Sequence, residues 1–219
     1  MAGNNLREAL VEEIRDLYNA EKQLTKALPK LAKGATSEEL REAFESHLEE
    51  TEGHVTRLER VFELLDEKPR GKHCAGMAGI IEEGSDMLQE DAEDAVMDAM
   101  LIAAGQRAEH YEIGAYGTCI AWAEALDLTE VAEVLNETLA EEKAADQKLT
   151  AIAESGINEA ATAGAEEEEG MEEDEEDSSR ARSSEGAGMS ARGGSSSGSR
   201  SATGGSSTGR STRQRGGRR

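Results

Sequence analysis

Four glutamates occupy positions where an amphipathic helix would otherwise carry an apolar side chain. Glu21 lies in a seven-residue row between Ile14 and Leu28, and Glu50 lies beside His47 and His54. Glu112 follows Ala108 and precedes Ala115, and Glu142 falls between Leu135 and Leu149. Burying an ionised carboxylate without a partner costs several kcal/mol or more, so four of them need compensation, and a bound cation is the simplest compensator. A single such glutamate reads as an edge residue with its charge in solvent. Four of them on four helices read as a metal site.

The elements that would position them follow from periodicity. Apolar residues recur at three- and four-residue steps through most of the chain, only two Pro occur, and no segment alternates with the period of a strand. Helices are expected over residues 4–33, 37–66, 93–126 and 128–155, with Pro29 in the last turns of the first as a possible kink. Thr36-Ser37-Glu38-Glu39 has the form of a capping box opening the second helix. The short loops at Ala35 and Asp127 make two antiparallel hairpins. Residues 67–92, with a short helix around Met77–Leu88, are long enough to run back along a helix of ~42 Å at about 1.5 Å per residue. The expected architecture is an all-α, ferritin-like antiparallel four-helix bundle with a long crossover carrying a short helix.

The hairpins set the glutamates level. Glu21 is fourteen residues before Ala35 and Glu50 fifteen after it; Glu112 and Glu142 each stand fifteen from Asp127. Each hairpin therefore presents two glutamates at mid-length. Further ligands are expected one turn away: His54 four residues after Glu50, Glu109 three before Glu112, and Asp146 four after Glu142. His47, Tyr18 and Tyr111 are expected nearby as packing residues. An oxygen-rich, partly nitrogenous set suits iron or manganese better than soft metals.

Composition narrows the class. The net charge is −23, and residues 156–219, with twelve acids and nine Arg, carry little of it, so about −20 sits on the first 155 residues. A surface of that sign resembles proteins of a high-salt cytoplasm, and it argues against nucleic-acid binding by the bundle. Domain boundaries are expected at 1–155 for the bundle and 156–219 for a disordered tail. In that tail an acidic run from Glu166 to Asp177 gives way to Ser, Gly and Arg. Weak contact between nucleic acid and the Arg-bearing end, Arg213 to Arg219, stays open. Cys74 and Cys119 have no spacing that builds a disulfide framework or a thiolate metal site. The chain begins polar, and it lacks a run of ~18 apolar residues for a membrane span. A cytoplasmic location is expected.

Four strings resemble the YciE/YciF family of ferritin-like, rubrerythrin-related stress proteins: Asp16-Leu-Tyr-Asn-Ala-Glu-Lys-Gln-Leu24, His47-Leu-Glu-Glu-Thr51, Glu109-His-Tyr-Glu-Ile113 and Leu139-Ala-Glu-Glu-Lys-Ala-Ala-Asp146. The resemblance covers residues 4–155. It implies a di-iron-type four-helix fold, a homodimer, and a ferroxidase or peroxide-linked role in stress. In the wider ferritin-like pattern, helices one and three each give a Glu and helices two and four a Glu-x-x-His. Glu21 and Glu112 match it, and the Glu109/Glu112 pair resembles the doubled glutamates of the rubrerythrin third helix. Glu50 and His54 are four apart rather than three, and Asp146 stands where a His would be expected.

The functional expectation is Fe(II) oxidation by oxygen or peroxide at a two-iron site, with manganese-dependent peroxide decomposition as a variant. Glu50 and Glu142 would bridge or bind one ion each, Glu21 and Glu112 would cap the ions, and His54, Glu109 and Asp146 would complete the shell. The competing class is a metal-free helical stress or interaction protein whose glutamates are protonated or paired with Lys22, Lys143 or Arg107. The surplus of acids carries its own expected outcome. Thermal unfolding should shift upward as KCl is raised from low to molar concentration, and an unchanged Tm would remove the argument from surface repulsion.

Overall fold

Asn5 starts the first helix: its Oδ1 accepts the Glu8 N–H at 2.9 Å, satisfying one of the free N-terminal donors. In the computed structural model, which describes residues 5–163, this helix, α1, spans Leu6–Gly34, and α2 spans Glu38–Leu64. The crossover helix α3 is Ala75–Met87, followed by α4 at Asp94–Ala125 and α5 at Thr129–Ile152. The described residues form no strand, and none of their helices is long and apolar enough to cross a membrane. Pro29 lies on the exposed side of α1 and does not end it.

The bundle is square. α1 packs on α2 and α4, and α5 packs on α4 and α2; α3 lies along α4 and α1. The two hairpins are closed by tight breaks. Asp127 adopts φ 57 between α4 and α5, and Leu128 N–H bonds the Ala123 carbonyl at 2.9 Å. Asp66, at φ 54, ends α2 in the same left-handed region, which Asp tolerates better than most residues.

The capping box at the first hinge takes another form. Ser37 is the N-cap, with its Oγ accepting the Leu40 N–H at 3.4 Å, so the third helical residue is Leu40 and no glutamate reaches back. The hinge donors are satisfied from α4 instead. Buried Asp98 accepts the Thr36 N–H at 2.8 Å, the Ser37 N–H at 2.8 Å and the Thr36 hydroxyl at 2.7 Å. This clamp ties the end of α1 to the start of α4 and makes those helices antiparallel neighbours.

The crossover is held by side chains of α1. Asn19 Oδ1 accepts the Cys74 N–H at 2.8 Å, and Gln23 donates to the Cys74 carbonyl at 3.0 Å. Cys74 caps α3, its Sγ accepting the Met77 N–H at 3.4 Å. Gly105, inside α4, lets Phe44 and Leu149 approach: a Cβ there would stand 3.0 Å from Leu149 Cδ1 and 3.2 Å from Phe44 Cε1.

Apolar packing occurs in two blocks. One joins Leu10, Ile14, Leu17, Leu58, Phe62, Cys119, Val131 and Leu135. The other joins Leu24, Leu28, Leu40, Phe44, Leu101, Ala108, Leu149 and Ile152. Between them, at mid-length on all four long helices, lies a buried polar layer. Beyond Ile152 the helical path turns at Gly156 (φ 151), and residues 158–163 are again helical; helical structure thus passes the expected boundary at 155. The acidic run and the Arg-bearing end lie outside the described residues.

Replacing Asp98 with Ala leaves two part-buried backbone donors without their side-chain partner. The expected loss is about 2–3 kcal/mol of unfolding free energy in urea titrations. A loss below ~0.5 kcal/mol would show that the hinge does not depend on this clamp.

Candidate metal centre

The polar layer is built by helical phase. On α2 the buried row runs His47, Thr51, His54, Leu58; on α5 it runs Leu135, Thr138, Glu142, Leu149. α1 contributes Glu21 and α4 contributes Glu109, Glu112 and Tyr116. Glu21, His54, Glu112 and Glu142 have no exposed surface, and Glu109 and His47 have almost none.

Two groups of ligand atoms converge here. In the first, His54 Nδ1 stands 3.0 Å from Glu142 Oε1 and 3.5 Å from Glu21 Oε2. In the second, His47 Nε2 stands 3.3 Å from Glu109 Oε1 and 3.6 Å from Glu142 Oε2. Each set could hold one ion, and Glu142 belongs to both through different oxygens. The imidazole centroids are 6.1 Å apart. Burial raises the Glu112 pKa, and the charges of Glu21, Glu142 and Glu109 raise it further.

These atoms meet without bonding one another. Glu21 Oε2, His54 Nδ1, Glu109 Oε2 and both carboxylate oxygens of Glu112 and of Glu142 are buried with no hydrogen-bond partner. Close approach of His54 Nδ1 to Glu142 is therefore proximity without hydrogen-bond alignment. A cluster of acceptors aimed at shared points fits a cation better than it fits a hydrogen-bonded core. Carboxylate oxygen with imidazole nitrogen is a donor set that a metal cation can use.

Each histidine is held from outside by a carboxylate. Glu141 Oε2 meets His54 Nε2 at 2.9 Å and is itself gripped by Arg57 through two bonds of 2.6 Å. His47 Nδ1 meets Glu50 Oε2 at 3.1 Å. With the outer nitrogen of each ring bonded to a carboxylate, the inner nitrogen is left to face the cluster, the orienting arrangement common around metal-bound imidazole. Tyr116 donates from its hydroxyl to Glu21 Oε1 at 2.5 Å, fixing that carboxylate's other oxygen toward His54.

Electrostatics follow from burial. Burial first, and neighbouring carboxylates second, hold Glu109 and Glu112 well above the usual carboxylate range. Burial also raises Glu21, against the opposing pull of His54. Burial pushes Glu142 up too, but contacts with His54 and Glu109 outweigh it and hold its carboxyl low. Burial disfavours the charged form of His54, yet Glu142 and Glu21 prevail and push it up to about 10.

Glu21, His54, Glu109, Glu112 and Glu142 of the sequence-derived set are brought together; Glu50 and Asp146 are not. The height of Glu50 is right and its direction is not: Thr51 occupies the inward position and Glu50 is exposed. Asp146 turns toward α4, accepting from Gln106 at 3.0 Å and lying 3.2 Å from His110. His47 enters the cluster as a ligand candidate rather than as packing. Tyr18 bonds Glu59 at 2.7 Å, and Tyr111 bonds Asp16 at 2.9 Å and Cys74 at 3.0 Å, so neither faces the carboxylates. Tyr116, Glu141 and Arg57 escaped the sequence reading. His47 and His54, seven residues apart on one row, carried the signal for the second histidine.

Comparison with known proteins adds relatives. The family described as "Domain of unknown function (DUF892)" matches residues 5–162. Protein YciF of Escherichia coli K12 is 43% identical over 157 residues, which is 71% of this chain and 95% of the relative. The crystal structure of the E. coli stress protein YciF superposes with a TM-score of 0.69, covering 71% of this chain and 99% of that one. YcfI from Rhodopseudomonas palustris is 44% identical with a TM-score of 0.66, covering 67% of this chain and 94% of that one.

Glu112 allows the cost of this layer to be measured. A carboxylate whose pKa is raised by folding makes the metal-free protein most stable at low pH and progressively less stable as pH rises above the usual carboxylate range. Glu112→Leu should therefore raise the stability of metal-free protein at pH 7 by about 1–4 kcal/mol and flatten its pH dependence. Equal pH slopes for the two proteins would mean that Glu112 is compensated without metal.

Proposed function

The chain belongs to the YciF family, known as a domain of unknown function, and on that basis we propose that it is a stress-protective di-metal protein that oxidises Fe(II) with oxygen or peroxide. The observation that carries this reading is the placement of Glu142, whose two oxygens face two separate ligand groups. A carboxylate with one oxygen toward each ligand group could serve two ions at once. The stress role is carried over from E. coli YciF, a stress protein.

In this reading Glu21, His54 and Glu142 would hold one ion, and His47, Glu109 and Glu142 would hold the other. Glu112, with both oxygens unpartnered, is the remaining carboxylate that either site can recruit. A bound iron pair supplies the electrons that reduce oxygen or peroxide. The chain's residues do the rest. The four buried glutamates, Glu21, Glu109, Glu112 and Glu142, would favour the higher charge of Fe(III) electrostatically. Glu109 and Glu112, whose carboxyls burial and neighbouring charge hold above the usual range, are placed to exchange protons beside the ligand groups. The apolar blocks on either side keep bulk water from the layer.

The metal-free alternative has the glutamates protonated or paired with Lys22, Lys143 or Arg107, and the pairing finds no counterpart. Lys22 lies over the Tyr18 ring at 4.8 Å, Arg107 reaches Met87 Sδ at 3.9 Å, and Lys143 is exposed. None of these bases is paired with the buried glutamates among the described residues.

Anaerobic loading followed by elemental analysis tests the reading. The parent chain should retain about two Fe(II), His54→Ala about one, and Glu142→Ala none, since Glu142 serves both ions. Addition of peroxide to the loaded parent should raise near-ultraviolet ferric absorbance within the mixing time of slow turnover. A parent chain that retains neither iron nor manganese would sink the proposal.

A further inference from the structure

A cavity of about 90 Å³ enters the bundle between α2 and α5 and ends on the second ligand group. Its inner wall includes buried His47 and Glu109; its rim includes exposed Ser46, Glu50, Ala144 and Lys148. The cavity has room for several water molecules. Glu109, 3% exposed, carries an oxygen with no hydrogen-bond partner. The first ligand group, Glu21, His54 and Glu142, contributes nothing to this wall.

Glu50 links the rim to the floor. Its side chain is 43% exposed and yet bonds His47 Nδ1 at 3.1 Å, so one carboxylate touches both solvent and a ligand ring. We propose that this cavity is the portal through which divalent cations reach the buried layer, with Glu50 as the surface carboxylate that captures them and passes them to His47 and Glu109. This inference rests on the di-metal reading above and adds the route and the order of filling: the His47–Glu109–Glu142 site fills first, and the Glu21–His54–Glu142 site fills through it. Lys148, on the same rim, opposes capture by its like charge. A cluster of carboxylates behind a single cation at the mouth makes uptake sensitive to charge at these two positions, in a way that fades with ionic strength.

The test is the rate of uptake rather than its extent. Co(II) is mixed with the metal-free full chain in a stopped-flow instrument, and the growth of its visible absorbance is followed. Dissociation is measured separately by chelator chase. Glu50→Gln, which removes charge but keeps a group able to bond His47, should slow association about 10-fold at low ionic strength. Lys148→Glu should speed it, and Ala144→Trp, which narrows the mouth, should slow it. Glu124→Gln, the same charge change at the far end of α4, should leave it within about twofold. Equilibrium Co(II) content should match the parent in Lys148→Glu, Ala144→Trp and Glu124→Gln.

Association rates unchanged by Glu50→Gln, Lys148→Glu and Ala144→Trp together would overturn the portal, as would equal slowing by Glu124→Gln. A fall in bound Co(II) for Glu50→Gln with its association rate preserved would make Glu50 a ligand and overturn its role in capture. A folded parent that takes up no Co(II) fails the di-metal reading itself and the portal with it. A parent that binds while the variants behave alike fails the portal only.

Discussion

A layer of ionisable groups buried between two apolar blocks is the constraint on which the rest of this structure depends. Six of its members, Glu21, His47, His54, Glu109, Glu112 and Glu142, are nearly or wholly removed from solvent, and seven of their atoms lack hydrogen-bond partners. Hydrophobic burial above and below the layer must hold four helices in register against the mutual repulsion at their middle. The Asp98 clamp at one hinge and the Asn19–Gln23–Cys74 bonds along the crossover add directional restraints that apolar contact alone does not supply.

The layer is also asymmetric. His54 is backed by Glu141, and Glu141 by the two-pronged grip of Arg57. His47 is backed by Glu50 alone, which no cation grips among the described residues. Tyr116 further fixes Glu21 on the His54 side. One half is therefore braced from several sides, while the other borders a cavity and rests on a partly exposed carboxylate.

How much of this was legible in the sequence depends on which coordinate was asked for. Counting from the hinges fixes height along a helix, so the level of the site was readable, and with it the helix order and the long crossover. Direction around the axis is finer. Residues 50 and 51 stand at almost the same height but about 100° apart, and the stripe of α2 passes through Thr51, with His47 and His54 on either side. Choosing Glu50 because it is a carboxylate overrode the phase that the apolar residues define. Asp146 fails in the same way. It sits one position past Ala145 on α5, far enough round to meet Gln106 and His110 on α4 instead of the interior. Asp98 and Arg57 were unreadable for another reason, since their partners are 61 or more residues away and no local pattern marks them.

Phase also explains why the histidines matter more than their number suggests. With Glu21 and Glu142 on diagonally placed helices, carboxylates alone would need several waters to complete two ions of ordinary coordination. His47 and His54, one helical row and seven residues apart, place one imidazole nitrogen at each ligand group without adding negative charge to a layer that already carries four glutamates. A glutamate at either position would deepen the repulsion that the two apolar blocks must withstand, and an alanine would leave an ion short of a ligand. The α2 row of His, Thr, His thus reconciles two demands on one helix face: ligand strength at the centre and tolerable charge within the fold.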